Sequence, residues 1–151
     1  MKGEFDSKFI VFLIGNELYA SPLLSIREVL EYQTPKIMPN MVQSFGGVIN
    51  VRGAIVGVLD LRIKFGYKAE NGPRTPLLLC DTSRGAIAAV VDAVECVKEI
   101  PEDQIETNPP ISSKIEIDYL IGVARSENRL ISIIDIDKML NEQEYKKASG
   151  V

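Results

Sequence analysis

The apolar residues of this chain fall in short runs separated by turn-forming residues, a pattern typical of β-strands. The run KFIVFLIGNELYA is broken by Gly-Asn at residues 15–16, which favours a hairpin turn. Further hairpins are predicted where residues 50–53 interrupt GVINVRGAIVGVLDL, where residues 81–85 follow PLLLC, and where residues 126–128 precede RLISII. The chain is therefore predicted to be all-β, with short helices between strands.

Three segments have helical features. Apolar residues in LLSIREVLEY recur at helix-like spacing from Leu23 to Leu30, although its β-branched residues leave a strand equally open. Asn40 is placed to cap a short helix that stops at the two glycines of residues 46–47. Residues 137–147 have the composition of a short terminal helix whose end frays.

A weak internal repeat has a period of 75 residues. Gly47 is followed by Val and then, after an apolar strand, by Asp60; Gly122 is followed in the same way by Asp135. A hairpin, an amphipathic segment and a proline precede each glycine in the same order. This order predicts two similar small β units.

The repeat indicates a single domain, residues 5–144, made of two lobes at roughly residues 8–68 and 75–140, with an exchange of strands between the lobes left open. Residues 145–151 are expected to form a frayed tail. Both alternating sets of positions in residues 54–61 are apolar, so protein is expected to cover both faces of that strand. Two lobes packed around a shared core would provide that cover.

Composition removes several classes of function. The formal net charge of −4 argues against a surface that follows nucleic-acid phosphates. The chain has no histidine, so it lacks Ser-His and Cys-His nucleophile pairs and imidazole metal ligands. Its two cysteines, Cys80 and Cys96, form no C-x-x-C pair and are expected to be small buried apolar residues. A polar N-terminus and the lack of an 18-residue apolar stretch predict a cytoplasmic protein.

The segment GVINVRGAIVGVLDLR resembles the CheW family of chemotaxis adaptor proteins, whose pattern is G-V-x-N-x-R-G, an apolar strand and then D-L-R. The opening FIVFLIGNELYASPLLSIREVLEY, the VVDAV strand and the ending YLIGVA to IDIDKML extend this resemblance over nearly the whole chain. It implies two packed five-stranded SH3-like barrels that share a hydrophobic core, with a short helix at the C-terminus. It also implies no catalytic activity, no cofactor and no metal.

The resemblance implies that the chain joins the regulatory domain of the histidine kinase CheA, which has the same fold, to the cytoplasmic helical tips of transmembrane chemoreceptors. The protein is then expected to be monomeric in isolation and to be recruited to receptor arrays at the membrane. Neither nucleic-acid binding nor insertion into the membrane is implied.

Site residues follow from the same resemblance, position by position. Arg52 matches the arginine associated with receptor contact, and a guanidinium there offers fork-shaped hydrogen bonding that lysine lacks. Pro76 stands where a β-branched residue is usual, Val97 is also compatible with burial inside a lobe, and Leu23 is compatible with a place in the core. The implied receptor-binding set is Arg52, Asn50, Gly53, Gly47, Glu28, Ile26, Pro76 and Val97, and the implied kinase-binding set is Leu23 and Glu28.

Three other functions are alternatives to this role. A CheW-like scaffold in a chemosensory pathway unrelated to motility differs only in its partner kinase. An enzyme or metal site built on Asp60 and Asp135 requires both carboxylates to converge, whereas each is placed to cap a following turn or helix. A nucleic-acid-binding barrel needs aromatic residues interleaved with Lys and Arg, and the five Phe and five Tyr are scattered instead.

Overall fold

The computed structural model describes residues 7–39, 45–83, 85–107 and 119–139. These residues form eleven strands and two one-turn α-helices. The strands are β1 (Lys8–Ile14), β2 (Glu17–Pro22), β3 (Ile26–Leu30), β4 (Phe45–Val51), β5 (Ala54–Asp60), β6 (Leu77–Thr82), β7 (Gly85–Val90), β8 (Ala93–Glu99), β9 (Ile105–Glu106), β10 (Leu120–Ser126) and β11 (Arg129–Ile134), and the helices are α1 (Leu61–Lys64) and α2 (Ile136–Met139). The prediction of an all-β fold is confirmed.

The strands form two sheets. The six-stranded sheet has the order β8-β1-β2-β11-β10-β9, and the five-stranded sheet has the order β3-β6-β7-β5-β4. Neighbours are antiparallel except for one parallel pair in each sheet, β11 with β2 and β5 with β7. The six-stranded sheet has one strand more than the predicted five, namely the two-residue β9 that pairs with β10.

A hairpin from each half of the chain completes the sheet of the other half. Hairpin β1–β2 lies between β8 and β11, and hairpin β6–β7 lies between β3 and β5. The strands β1, β2, β3, β4 and β5 correspond in turn to β6, β7, β8, β10 and β11. When each strand is exchanged for its counterpart, one sheet has the strand order of the other, apart from β9. The lobe boundaries predicted from the sequence stay a prediction, and this match of topology supports the duplication that they presume. The five-stranded sheet with the segments that close it is called the first lobe, and the six-stranded sheet is called the second lobe.

The 75-residue spacing has a physical basis at two glycines. The ladders β4–β5 and β10–β11 each shift register next to a glycine, Gly47 and Gly122 respectively. A Cβ at Gly47 would lie 2.2 Å from the carbonyl oxygen of Lys36, and one at Gly122 would lie 2.8 Å from that of Glu106. Each glycine therefore lets a crossing segment close over its hairpin.

Within the part of the chain that the structure describes, three apolar clusters form the core. One lies within the six-stranded sheet, one within the five-stranded sheet, and the largest takes residues from both sheets. On β1, Val11 packs in the cluster of the six-stranded sheet and Phe12 packs in the shared cluster. On β6, Leu79 packs in the cluster of the five-stranded sheet and Leu78 packs in the shared cluster. Strands with protein on both faces explain why the chain has continuous apolar runs in place of strict alternation.

The hairpin turns predicted at residues 15–16, 50–53, 81–85 and 126–128 are all present, and the C-terminal helix begins at Ile136. The segment left open between helix and strand begins with a 3₁₀ turn, Leu23–Ser25, and continues as β3. Although its apolar residues have helix-like spacing, the segment forms a strand because it pairs with β6. The helix predicted after Asn40 lies outside the described residues up to residue 44, and its predicted end is wrong, because Phe45 to Gly47 already belong to β4. The continuation of the terminal helix beyond residue 139 lies outside the described residues.

Two burial predictions need correction. Cys80 is buried as predicted, but Cys96 is exposed because it lies on β8, at the edge of its sheet. Protein covers both faces of β5 from Val56 onwards, but Ile55 is 70% exposed beside the hairpin tip. The alternation of residues along a strand shows which side chains share a face, but it does not show how far the neighbouring strands extend to cover that face.

The two cysteines should differ sharply in reactivity. Burial raises the pKa of the Cys80 thiol to about 12, whereas the Cys96 side chain is open to solvent. We expect a chromogenic disulfide reagent at pH 8 to label a single thiol in the folded protein and the second only after denaturation. Cys96→Ser should abolish labelling of the folded protein. Rapid labelling of both thiols without denaturant would contradict this placement.

Candidate functional site

The hairpin joining β4 to β5 presents Arg52 at its tip. Arg52 and Gly53 both have positive φ, 48° and 90°, as the tight turns of two-residue hairpins require. The side-chain oxygen of Asn50 accepts a hydrogen bond of 2.8 Å from the N–H of Gly53 and fixes the turn. The left-handed conformation costs a non-glycine residue about 1 kcal/mol, so a long cationic side chain here is a feature that points to function.

Arg52 forms an ion pair with Glu28 on β3. One guanidinium nitrogen, Nη1, donates a 3.1 Å hydrogen bond to Oε1, and Nη2 donates to Oε2, so two parallel hydrogen bonds join the side chains. The hydrogen bond from Arg52 lowers the pKa of the Glu28 carboxyl below its ordinary value, and the same bond raises the pKa of Arg52. The side chain of Arg52 remains 66% exposed, so its guanidinium is oriented and still accessible.

Closure of the first lobe brings β3 to this hairpin. β3 and β4 lie at opposite edges of the five-stranded sheet, so their contact requires the sheet to curve. Lys36, in the segment between these strands, exchanges two backbone hydrogen bonds of 2.8 and 2.9 Å with Val48. Gly47 is buried beneath this segment, so its role is to permit the close approach, and it offers no side-chain surface of its own.

Exposed apolar side chains occur on the same segments that carry the ion pair. Ile55 is the register partner of Asn50 and is 70% exposed, and Ile37 follows the residue that bridges to β4 and is 82% exposed. Val29, the residue after Glu28, is also exposed. A surface that combines a forked cation with exposed aliphatic groups is suited to a protein partner. Successive residues of a strand point to opposite faces, so Val29 lies on the other face of β3 from Glu28. We call Glu28, Arg52, Ile37 and Ile55 the first-hairpin surface.

The structure brings some predicted site residues together and separates others. Glu28, Asn50, Arg52 and Gly53 meet at the first hairpin. Val97 lies on β8 in the other sheet, where it is 56% exposed, so it is not buried inside a lobe.

Pro76 is half-buried in an open depression of about 350 Å³ at the end of β3, just before β6. Val29 and Leu30, which follow Glu28 on β3, line the same depression.

Leu23 and Ile26 differ from the other predicted site residues because both are half-buried and pack against the shared core. The neighbour of Leu23 in the 3₁₀ turn, Leu24, is 65% exposed. Sequence reasoning missed Leu24 because two adjacent leucines give no periodicity that could assign one to the core and the other to the surface.

The hairpin β10–β11 is the counterpart of the first hairpin, with reversed charge. Glu127 stands 75 positions after Arg52, and Asn128 stands 75 after Gly53; both again have positive φ, 52° and 64°. Glu127 faces Lys98 on β8, with 3.8 Å between the charged atoms. β8 takes the place in its sheet that β3 takes in the other, so each tip pairs with the equivalent edge strand.

The carboxylates considered for an enzyme have structural roles. Asp60 caps α1 by accepting a 3.0 Å hydrogen bond from the N–H of Arg62, and Asp135 accepts one of 3.3 Å from Lys138. Within residues 7–39, 45–83, 85–107 and 119–139, no group of three potential ligands is arranged to hold a metal ion. No helix of these same segments is long and apolar enough to cross a membrane.

Comparisons with known proteins agree with the resemblance seen in the sequence. The model of the CheW-like domain family matches residues 8–144. The chemotaxis protein CheW of Klebsiella aerogenes is 29% identical over 95% of this chain and 87% of its own length. That of Helicobacter pylori is 31% identical over 89% of this chain and 82% of its own length.

The crystal structure of scaffolding protein TtCheW from Thermoanaerobacter tengcongensis is similar as well. It superposes with a TM-score of 0.83 at 27% identity, covering 92% of this chain and 95% of that one. The resemblance predicted from the motif is therefore confirmed, and with it the two packed β units.

The ion pair of the first hairpin can be tested by titration. Removing the guanidinium with Arg52→Ala should raise the pKa of Glu28 towards its ordinary value, because the hydrogen bond from Arg52 is the main cause of the lowering. Arg27→Ala, which removes a more distant positive charge from the same strand, should shift it less. Carbon-detected NMR of the Glu28 carboxyl measures both. Equal shifts in the two variants would contradict a specific pair.

Proposed function

Because the chain belongs to the CheW-like family, a family of non-catalytic chemotaxis scaffolds, we propose that it couples a CheA-type histidine kinase to the cytoplasmic tips of chemoreceptors. In this role the chain works in the cytoplasm, is recruited to receptor arrays, and needs no cofactor. Its chemistry is recognition alone: two partners must hold the same scaffold at once, so that receptor state reaches the kinase.

The exposed Arg52–Glu28 pair on the first-hairpin surface is the observation that carries the receptor half of this proposal. A receptor tip is a helical bundle, and a helix presents apolar anchors one turn apart. Ile37 and Ile55 supply aliphatic contacts for such anchors, and Arg52 supplies forked donors for a carboxylate or a carbonyl. Gly47, Pro76 and Ile26 then shape and support this surface, and Val97 adds a contact from the other lobe.

Glu28 contributes to this interaction by fixing the orientation of the Arg52 side chain before the receptor binds. A free arginine loses much of its side-chain freedom on binding, and a partner must supply that free energy. With two hydrogen bonds to Glu28, the guanidinium is already oriented, and 66% of the Arg52 side chain remains exposed to a partner. Both residues therefore belong to the receptor surface, with Glu28 as the orienting group and Arg52 as the contact.

The kinase half of the proposal rests on the 3₁₀ turn before β3. Leu24 exposes most of its side chain there, while Leu23 packs inward. An exposed leucine on a barrel suits apolar packing against another barrel of the same fold, which is the expected form of the kinase regulatory domain. Such an interface is small, and an array gains strength from many of them together.

The receptor surface can be tested at its tip without disturbing the fold. Arg52→Asn keeps a residue that accepts positive φ and removes the guanidinium, so receptor binding should weaken about tenfold while kinase binding changes little. Glu127→Asn is the matched control, because it removes the charged tip of the other hairpin at the same backbone conformation. Titration calorimetry with the kinase regulatory domain and sedimentation with receptor-containing nanodiscs measure the two contacts.

Retained receptor binding by Arg52→Asn would contradict the proposed surface, as would an equal loss in Glu127→Asn. Failure of the unaltered chain to bind either partner would contradict the proposed function itself.

Substitutions of the two leucines in the 3₁₀ turn can distinguish an interface residue from a core residue. Leu24→Asp should weaken kinase binding at least tenfold with little change in melting temperature, because its side chain already faces solvent. Leu23→Asp should lower the melting temperature by about 5 °C or more, because it places a charge against the shared core. Thermal unfolding followed by calorimetric titration checks both. A stable Leu23→Asp variant with selective loss of kinase binding would instead make Leu23 the contact.

A further inference from the structure

A fully buried arginine lies where the two lobes meet. The Arg62 side chain has no exposed surface, and its Nε and Nη2 donate hydrogen bonds of 3.0 and 2.8 Å to the two carboxylate oxygens of Asp60. Nη1 donates to the carbonyl oxygen of Glu70 at 3.1 Å, and Nη2 also donates to the side chain of Asn71. The residue therefore ties the end of β5 to the loop that follows α1.

Arg62 also reaches the second lobe through Asp92. Its Nη1 lies 3.6 Å from Oδ1 of Asp92, a residue in the link between β7 of the five-stranded sheet and β8 of the six-stranded sheet. The other carboxylate oxygen of Asp92 accepts a 2.7 Å hydrogen bond from the N–H of Gly15, in the β1–β2 turn. The backbone N–H of Asp92 donates to Leu13 at 2.9 Å. One carboxylate thus connects the buried guanidinium to a hairpin of the opposite sheet.

Aromatic rings strengthen the same junction. Phe65, directly after α1, stacks on Tyr19 of β2 with 5.1 Å between ring centroids and packs against Tyr119 at 6.0 Å. Tyr67 donates its backbone N–H to the carbonyl oxygen of Arg62 at 2.8 Å, and its ring lies against Gly15. The short segment after β5 therefore holds the six-stranded sheet by both ring packing and the Arg62 network.

We propose that Arg62 is a positioning residue that fixes the angle between the two lobes, with Asp92 as its contact to the second lobe. Aromatic packing is tolerant of small rotations, whereas a guanidinium held by several acceptors at fixed directions is not. Arginine suits this position because its five donors can bond two carboxylates and two further oxygens at once, and lysine has three. For signalling, this means that a partner bound to one lobe changes how the other lobe is oriented towards its own partner. This consequence rests on the proposed function.

Spin-label distance measurements test the angle in the isolated 151-residue chain. Labels at Ile55→Cys and Leu130→Cys, in a Cys96→Ser background, place one probe on the exposed hairpin of each sheet, while Cys80 stays buried and unlabelled. Asp92→Ala should broaden the distance distribution between the labels, because it removes the contact of Arg62 with the second lobe. Asp92→Asn, which keeps an acceptor for Gly15 and loses the charge, should broaden it less.

A matched control exists within one sheet. Asp81 on β6 pairs with Arg27 on β3, so Asp81→Ala also removes a carboxylate from an arginine but leaves the two lobes joined as before. It should leave the distance distribution unchanged. Hydrogen exchange of the Gly15 amide should accelerate about tenfold in Asp92→Ala and remain unchanged in Asp81→Ala. An unchanged distance distribution in a folded Asp92→Ala protein would overturn the proposal.

Direct substitution of Arg62 provides a second measurement. Arg62→Lys keeps the positive charge but not the fork, so the distance distribution should broaden even where the melting temperature falls only a few degrees. If that variant does not fold, the Asp92 variants still decide the matter. A functional arm uses kinase activity in reconstituted receptor arrays: Asp92→Ala should bind each partner separately within about threefold of the parent and reduce receptor control of the kinase.

The two failures can be told apart. Absence of partner binding by the parent chain overturns the proposed function and leaves the spin-label result intact. Normal partner binding with an unchanged label distribution in Asp92→Ala overturns the positioning role alone.

Discussion

The exchange of hairpins between the two sheets is the constraint on which the other features depend. The parallel pairs β2–β11 and β5–β7 join segments far apart in sequence, so neither sheet is complete until both halves of the chain have folded. The hairpins β1–β2 and β6–β7 are central in their sheets and carry apolar residues on both faces, which link each lobe's own core to the shared one. The lobes therefore cannot separate without breaking backbone hydrogen bonds within both sheets.

The fold could be predicted from the sequence where it depends on interactions between residues close together in the chain, and not where it depends on residues far apart. Hairpin turns depend on local chemistry, so Gly15 and Gly53 indicated their turns correctly. The segment from Leu23 to Leu30 could not be assigned, because its strand conformation depends on pairing with β6, some fifty residues away. Cys96 was assigned wrongly for a related reason: it lies in an apolar run, but that run forms the last strand of its sheet.

The candidate site could be predicted in part. Arg52 was found because its motif and its turn coincide in sequence, whereas its pairing with Glu28 depends on closure of the lobe by the segment around Lys36. Arg62 stands in the quoted D-L-R motif, yet no sequence pattern shows that a charged side chain is buried. Arginine is almost never fully buried without partners, and its partners Glu70 and Asp92 come from a loop and a link between sheets.

The two hairpin tips share one backbone conformation and carry opposite charges. Arg52 and Glu127 occupy equivalent left-handed positions, each opposite a residue of the other sign on the equivalent edge strand. In the proposed function, an acidic group on a receptor is drawn more strongly to the exposed Arg52 than to the tip that carries Glu127, so the charge difference favours binding at one of the two hairpins. Because the lobes share a core and exchange hairpins, partners held at the two ends remain mechanically connected through the same sheets, which is the property that a scaffold between two signalling proteins requires.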